Sequence, residues 1–132
     1  VAVAVALAIP AVSGAQARRG QKTVNVSERD FHITVPKRLP AGDVIIRLKN
    51  RGPDDHEFFL VRAGDGELPM RDDGLTVDEA ALEHRTVGSL EAGRSGSVRS
   101  LRVHLRPGRY VMFCNMSGHY LAGMDTDVVV KP

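Results

Sequence analysis

From Thr23 onward the chain returns repeatedly to a period of two, with Val and Ile at alternate positions. Thr23–Ser27 sets Val24 and Val26 on one side, Phe31–Val35 sets Phe31, Ile33 and Val35 together, and Val44–Leu48 aligns Val44, Ile46 and Leu48. Such alternation is the mark of a strand with one buried face. Pro36 and the run Pro40-Ala41-Gly42-Asp43 interrupt the second and third segments and turn the chain. His56–Val61, Ser97–Leu105, Arg109–Cys114 and Asp125–Lys131 read as further strands. Pro107-Gly108 predicts a type II turn, since Pro fixes φ and Gly supplies a positive φ, and so a tight hairpin between Ser97–Leu105 and Arg109–Cys114.

One stretch departs from this pattern. Between Ala63 and Gly93, Gly, Asp and Pro cluster, and Thr76-Val77-Asp78-Glu79 carries the signature of a capping box. Ala63–Leu75 is therefore expected as a surface loop, and Thr76–His84 as a helix capped by Thr76 and laid over a sheet edge. The whole predicts an all-β fold, a β-sandwich of about seven to eight short strands with one short helix in a loop.

The N-terminus has a different character. Val1–Ala17 is uncharged, passes from an apolar run to small residues and reaches Ala15-Gln16-Ala17 just before Arg18-Arg19. The apolar run is too short to cross a bilayer, and the small-x-small pattern is that of a signal peptidase site. Residues 1–17 are expected to be a truncated signal peptide and 18–132 the single domain, soluble after export to the periplasm or beyond. With 132 residues, 18 Lys+Arg against 16 Asp+Glu and basic residues interspersed with acidic ones, neither a multi-domain machine nor a nucleic-acid binder fits.

Export sharpens the question of the single cysteine. Cys114 has no disulfide partner, so in an oxidising compartment it is either a buried inert thiol or a ligand to a soft metal. Its surroundings carry the second possibility. In Cys114-Asn115-Met116-Ser117-Gly118-His119-Tyr120-Leu121-Ala122-Gly123-Met124 a thiol, an imidazole and a thioether lie between two predicted strands, with Gly118 and Gly123 permitting tight turns. Thiolate, imidazole and thioether suit copper and not calcium or magnesium. His56, which opens a strand after the turn-like Arg51-Gly52-Pro53-Asp54-Asp55, is the best-placed second imidazole. His32, His84 and His104 read as solvated or edge residues. Taken singly, Cys114 reads more readily as a buried core thiol than as a ligand, while Met124 also reads as a core methionine and His119 as a loop histidine.

The segment resembles the copper-binding loop of the cupredoxins, the small blue-copper proteins. Leu105–Cys114 is similar to their final hairpin leading into the ligand cysteine, and Asn50–Leu60 to the segment bearing the first ligand histidine. The resemblance implies a Greek-key sandwich holding one copper ion on His56, Cys114 and His119, with Met124 as a weak axial donor. It implies an electron carrier and not an enzyme, with Phe58, Tyr110 and Met112 screening the sulfur. A transient redox partner would dock near His119. Glu57 stands where plastocyanin and azurin have an Asn that ties the ligand loops together, which leaves the rigidity of the site open. A copper carrier or storage protein would use the same ligands, and a metal-free interaction domain the same sandwich.

Overall fold

The computed structural model describes residues 21–132. The expected signal peptide lies outside the described residues. Among the described residues nine strands form two sheets: β1 (Lys22–Arg29), β2 (His32–Thr34), β3 (Arg38–Pro40), β4 (Gly42–Asn50), β5 (His56–Arg62), β6 (Thr86–Gly93), β7 (Val98–Leu105), β8 (Gly108–Phe113) and β9 (Asp125–Lys131). One sheet runs β2-β1-β4-β7 and the other β3-β9-β8-β5-β6. The pairs β1/β4 and β3/β9 are parallel and the others antiparallel.

Alternation places the core as expected. Val24, Val26, Val44, Ile46 and Leu48 of the first sheet meet Phe58, Leu60, Met112, Val128 and Val130 of the second, all buried in one cluster with Cys114 and Met124. Removing these side chains from water is the main favourable term in the fold. The outer face of β5 and β8 carries a second, smaller cluster, in which Val61 and Phe113 pack under Leu68, Val77 and Leu82. The loop after β5 is thus a lid with its own apolar underside.

Four local expectations are corrected. β7 and β8 are not a hairpin: β7 pairs with β4 in one sheet and β8 with β5 and β9 in the other, so Pro107-Gly108 carries the chain across the sandwich. Tyr110 secures that crossing, its hydroxyl donating to Arg106 O at 2.8 Å and accepting from Arg106 N at 3.2 Å, the arrangement of a tyrosine corner. The helix is shorter than Thr76–His84. It spans Glu79–Leu82 (α1), with a 3-10 turn at Glu83–Arg85. Its cap is Asp78, whose side chain accepts from Ala81 N at 3.1 Å, while Thr76 is engaged by Asp73. The stretch between Ala63 and Gly93 also contains a strand, β6, whose mixed burial hides the period of two. Finally, Phe31 does not join Ile33 in the core. It is 42% exposed, in the turn between β1 and β2.

Candidate metal centre

The start of β5, the end of β8 and the start of β9 fall at one end of the second sheet, because Phe59 pairs with Phe113 and Phe113 with Asp125. His56 points inward as the first residue of β5, on the same face as Phe58 and Leu60. Cys114 continues the inward face of Tyr110 and Met112 one step past β8. The chain then makes tight turns: His119 N donates to Met116 O at 2.9 Å, and Gly123 N to Tyr120 O at 2.9 Å. Gly118 and Gly123 have φ of +79° and +91°, values that side-chain-bearing residues rarely adopt. Cys114 N donates to Met124 O and Met124 N to His119 O, both at 3.1 Å, so the loop is closed on itself.

The result is a compact triangle of donors. His56 Nδ1 and His119 Nδ1 are 3.3 Å apart, Cys114 Sγ is 3.8 Å from the first and 3.5 Å from the second. A point equidistant from the three atoms lies about 2.1 Å from each, within the range of metal bonds to imidazole and thiolate. An ion therefore fits without rearrangement. His56 and Cys114 are fully buried, whereas His119 is half-buried. Met124 is fully buried in the same cluster as Cys114. His32 and His104 are exposed on the first sheet, where His104 Nδ1 sits 2.7 Å from Asp43, and His84 lies in the 3-10 turn, so none joins the triangle.

The electrostatics suit neutral imidazole and a thiol that ionises only in company. Burial holds the His56 ring below the ordinary imidazole range, opposed by Asp30. Burial likewise pushes the Cys114 thiol up to about 11, while backbone N–H groups of Met116 and Glu57 turned toward the sulfur favour its charged form. Those two amides are fixed donors to a thiolate. Glu57 itself is raised by burial and by Glu79 and Glu91.

Several neighbours that support the site were not legible beforehand. Asn115 ties the cysteine to the lid, accepting from Val77 N at 2.7 Å and donating to Val77 O at 3.1 Å and Glu79 Oε1 at 2.7 Å. Buried Asn50 shapes the approach to His56, accepting from Gly52 N at 2.6 Å and donating to Gly93 O and Asp54 O at 2.8 Å. Arg99 donates to His56 O at 3.2 Å and to the buried Glu28 at 3.1 Å. Asp30 and Phe31, in the β1–β2 turn, touch the two imidazoles: Asp30 Oδ1 is 2.7 Å from His56 Nε2, and the Phe31 ring meets His119 edge-on with centroids 4.9 Å apart. The alternation with Ile33 had hidden Phe31, and nothing local marks Asp30. Phe58, Met112 and Tyr110 all share the buried cluster of Cys114, Tyr110 standing four residues back along the strand, about 13 Å away at the corner end.

No family model matches the sequence, and no curated protein does. Solved structures do match. Auracyanin A, a "blue" copper protein from the green thermophilic photosynthetic bacterium Chloroflexus aurantiacus, superposes with a TM-score of 0.64 at 20% identity, over 85% of this chain and 100% of that one. Auracyanin B gives 0.63 at 23% identity, over 84% and 89%. Rusticyanin from Thiobacillus ferrooxidans gives 0.59 at 19% identity, over 83% and 77%. The fold is that of the cupredoxins, a β-sandwich with one short helix, and the His56, Cys114 and His119 donors gather at one end of it.

Proposed function

We propose that this chain is an exported mononuclear type 1 copper protein that carries single electrons, with His56, Cys114 and His119 as the strong ligands and Met124 as a weak fourth. The observation that carries this reading is the donor triangle, whose centre stands at bonding distance from two imidazole nitrogens and one sulfur. Copper bound there would supply a one-electron couple whose two oxidation states both accept this donor set.

The protein's own contribution is rigidity and dryness. His56 is set by the first residue of a paired strand, and the Cys114 to Met124 segment is closed by its own backbone hydrogen bonds. Burial of His56, Cys114 and Met124 keeps water and substrates from the ion, which favours electron transfer over catalysis at an open metal position. His119 alone of the proposed ligands reaches the surface, and exposed Phe31 and Leu121 lie beside it. Leu75 O accepts from Gly118 N, bringing a third exposed apolar residue to the same loop. This apolar margin supports a short-lived contact with a redox protein, through which His119 passes the electron.

No helix among the described residues is long and apolar enough to cross a membrane. Export rests on the expected signal at residues 1–17. Copper titration of the 18–132 product, followed by visible and electron paramagnetic resonance spectra, tests the assignment. An intense thiolate-to-copper band with one ion per chain is expected, and copper binding without that band would refute it. Cycles of oxidation and reduction that retain the ion, against its transfer to a chelating acceptor, separate the electron carrier from a copper carrier.

A further inference from the structure

His56 uses one ring nitrogen toward the donor triangle and leaves the other buried. With Nδ1 facing Cys114 Sγ and His119, a neutral ring that offers Nδ1 as a metal donor must carry its proton on Nε2. That N–H has no linear hydrogen-bond acceptor among the described residues. What stands beside it is a charge: Asp30 Oδ1, 2.7 Å away and off the ring axis, on a side chain only 16% exposed. Asp30 is itself held in place. Its Oδ1 accepts from Asp54 N at 3.3 Å, and its backbone N–H from the β1–β2 turn reaches Gly52 O at 3.5 Å. The carboxylate is thus clamped between that turn and the loop that delivers His56, while the next residue, Phe31, bears on the other imidazole.

We infer that Asp30 is the positioning residue of the metal centre: its carboxylate fixes the Nε2–H tautomer and the orientation of His56, and its negative charge biases the bound ion toward the more highly charged oxidation state. The inference rests on the copper reading above. A carboxylate behind a metal-bound imidazole raises the basicity of the ligating nitrogen, and loss of such a partner commonly costs 10 to 100-fold in metal affinity. The charge acts unequally on the two oxidation states, since Cu(II) exceeds Cu(I) by one unit. Removing it weakens Cu(II) more than Cu(I) and raises the reduction potential.

Two variants separate charge from orientation. Asp30→Asn keeps the size and an acceptor oxygen but loses the charge. The thiolate-to-copper band and the paramagnetic resonance parameters should stay as in the parent, while the ratio of Cu(II) to Cu(I) affinity falls about tenfold, equivalent to an upward shift of about 59 mV for a one-electron couple. Asp30→Ala loses both, and should shift the potential in the same direction while also changing the spectrum and lowering copper affinity. A readout without metal accompanies these: nitrogen-15 NMR of the metal-free protein, above the imidazole titration range, should show His56 in one tautomer, with the proton on Nε2, and a mixture in Asp30→Ala. Parent potential and parent spectrum in both variants would overturn the inference, as would a mixed tautomer in the unsubstituted protein. A wild-type protein with no thiolate-to-copper band would instead defeat the copper reading, and the metal-free NMR result would still decide whether Asp30 fixes the ring.

Discussion

Asn115 and Val77 hold each other by a closed pair of hydrogen bonds, Oδ1 accepting from Val77 N at 2.7 Å and Nδ2 donating to Val77 O at 3.1 Å. The pair joins the residue after Cys114 to the segment leading into α1, whose apolar underside covers Phe113. It anchors the cysteine end of the site to the segment before α1, whereas Glu57, when ionised, has no side-chain proton with which to tie the two ligand-bearing loops together. Asn115→Ala leaves two buried backbone groups without partners. It should lower the unfolding free energy of the metal-free protein by about 2 to 3 kcal/mol in urea titrations. The thiolate-to-copper band should also broaden as the sulfur loses its fixed orientation.

The proposed ligands differ in exposure, and their removal should differ in kind. Cys114→Ser should abolish the thiolate-to-copper band. His119→Ala removes the half-buried imidazole and leaves an opening to solvent, so added imidazole should enter and restore much of the band. His56→Ala makes a cavity under the surface, and the same addition should restore little. Visible titrations with exogenous imidazole check both outcomes.

Copper binding should release a proton from Cys114. The metal-free thiol is held up to about 11, so at neutral pH it is protonated, and it must ionise to bind. His56, whose ring is held below its ordinary range, is neutral there and contributes none. Calorimetric titrations in buffers of different ionisation enthalpy should give about one proton released per ion at pH 8. Cys114→Ser should lose that release.

Glu28 makes the stability of the metal-free protein depend on pH. Burial lifts its carboxyl from 4.5 to about 7, against the opposing pull of Arg99. The native state therefore holds this proton more tightly than the unfolded chain does. Stability from this group is fully present below pH 4.5, falls as pH rises toward 7, and stays lower above. The drop is on the order of 3 kcal/mol. Glu28→Gln should flatten that slope relative to the parent in urea unfolding series from pH 4 to 8, and a parallel slope in the variant would count against this origin.

What could be read in advance divides along physical lines. Strands whose alternation reflects one buried face, such as β1, β4 and β9, were legible because side-chain direction repeats every second residue. That His56, Cys114 and His119 would come together was legible because a thiol and an imidazole share one short segment between two strands and a second histidine opens a strand after a turn; Met124, from the same segment, stands in the buried cluster of Cys114. The mistaken hairpin at Pro107-Gly108 shows the limit: a turn sequence specifies a reversal of backbone, not which sheet receives the next strand. Thr76 lost the cap to Asp78 because Asp73 already accepts from its hydroxyl and its amide. Asp30, Asn115 and the Glu28–Arg99 pair gain their roles from residues far away in sequence, and no local pattern encodes that.

The backbone bonds that tie Cys114 to Met124 and Met124 to His119 close that stretch on itself, with both mouths anchored to strands that pair with each other and its crown fastened to residues 75–79 through Asn115 and Gly118. His56 stands apart on a different strand, with its own supports in Asn50 and Arg99. Any insertion or deletion in that stretch must therefore respect both its mouths and its moorings at Leu75 and Val77, while the sandwich and its fixed histidine are left as a constant receiver.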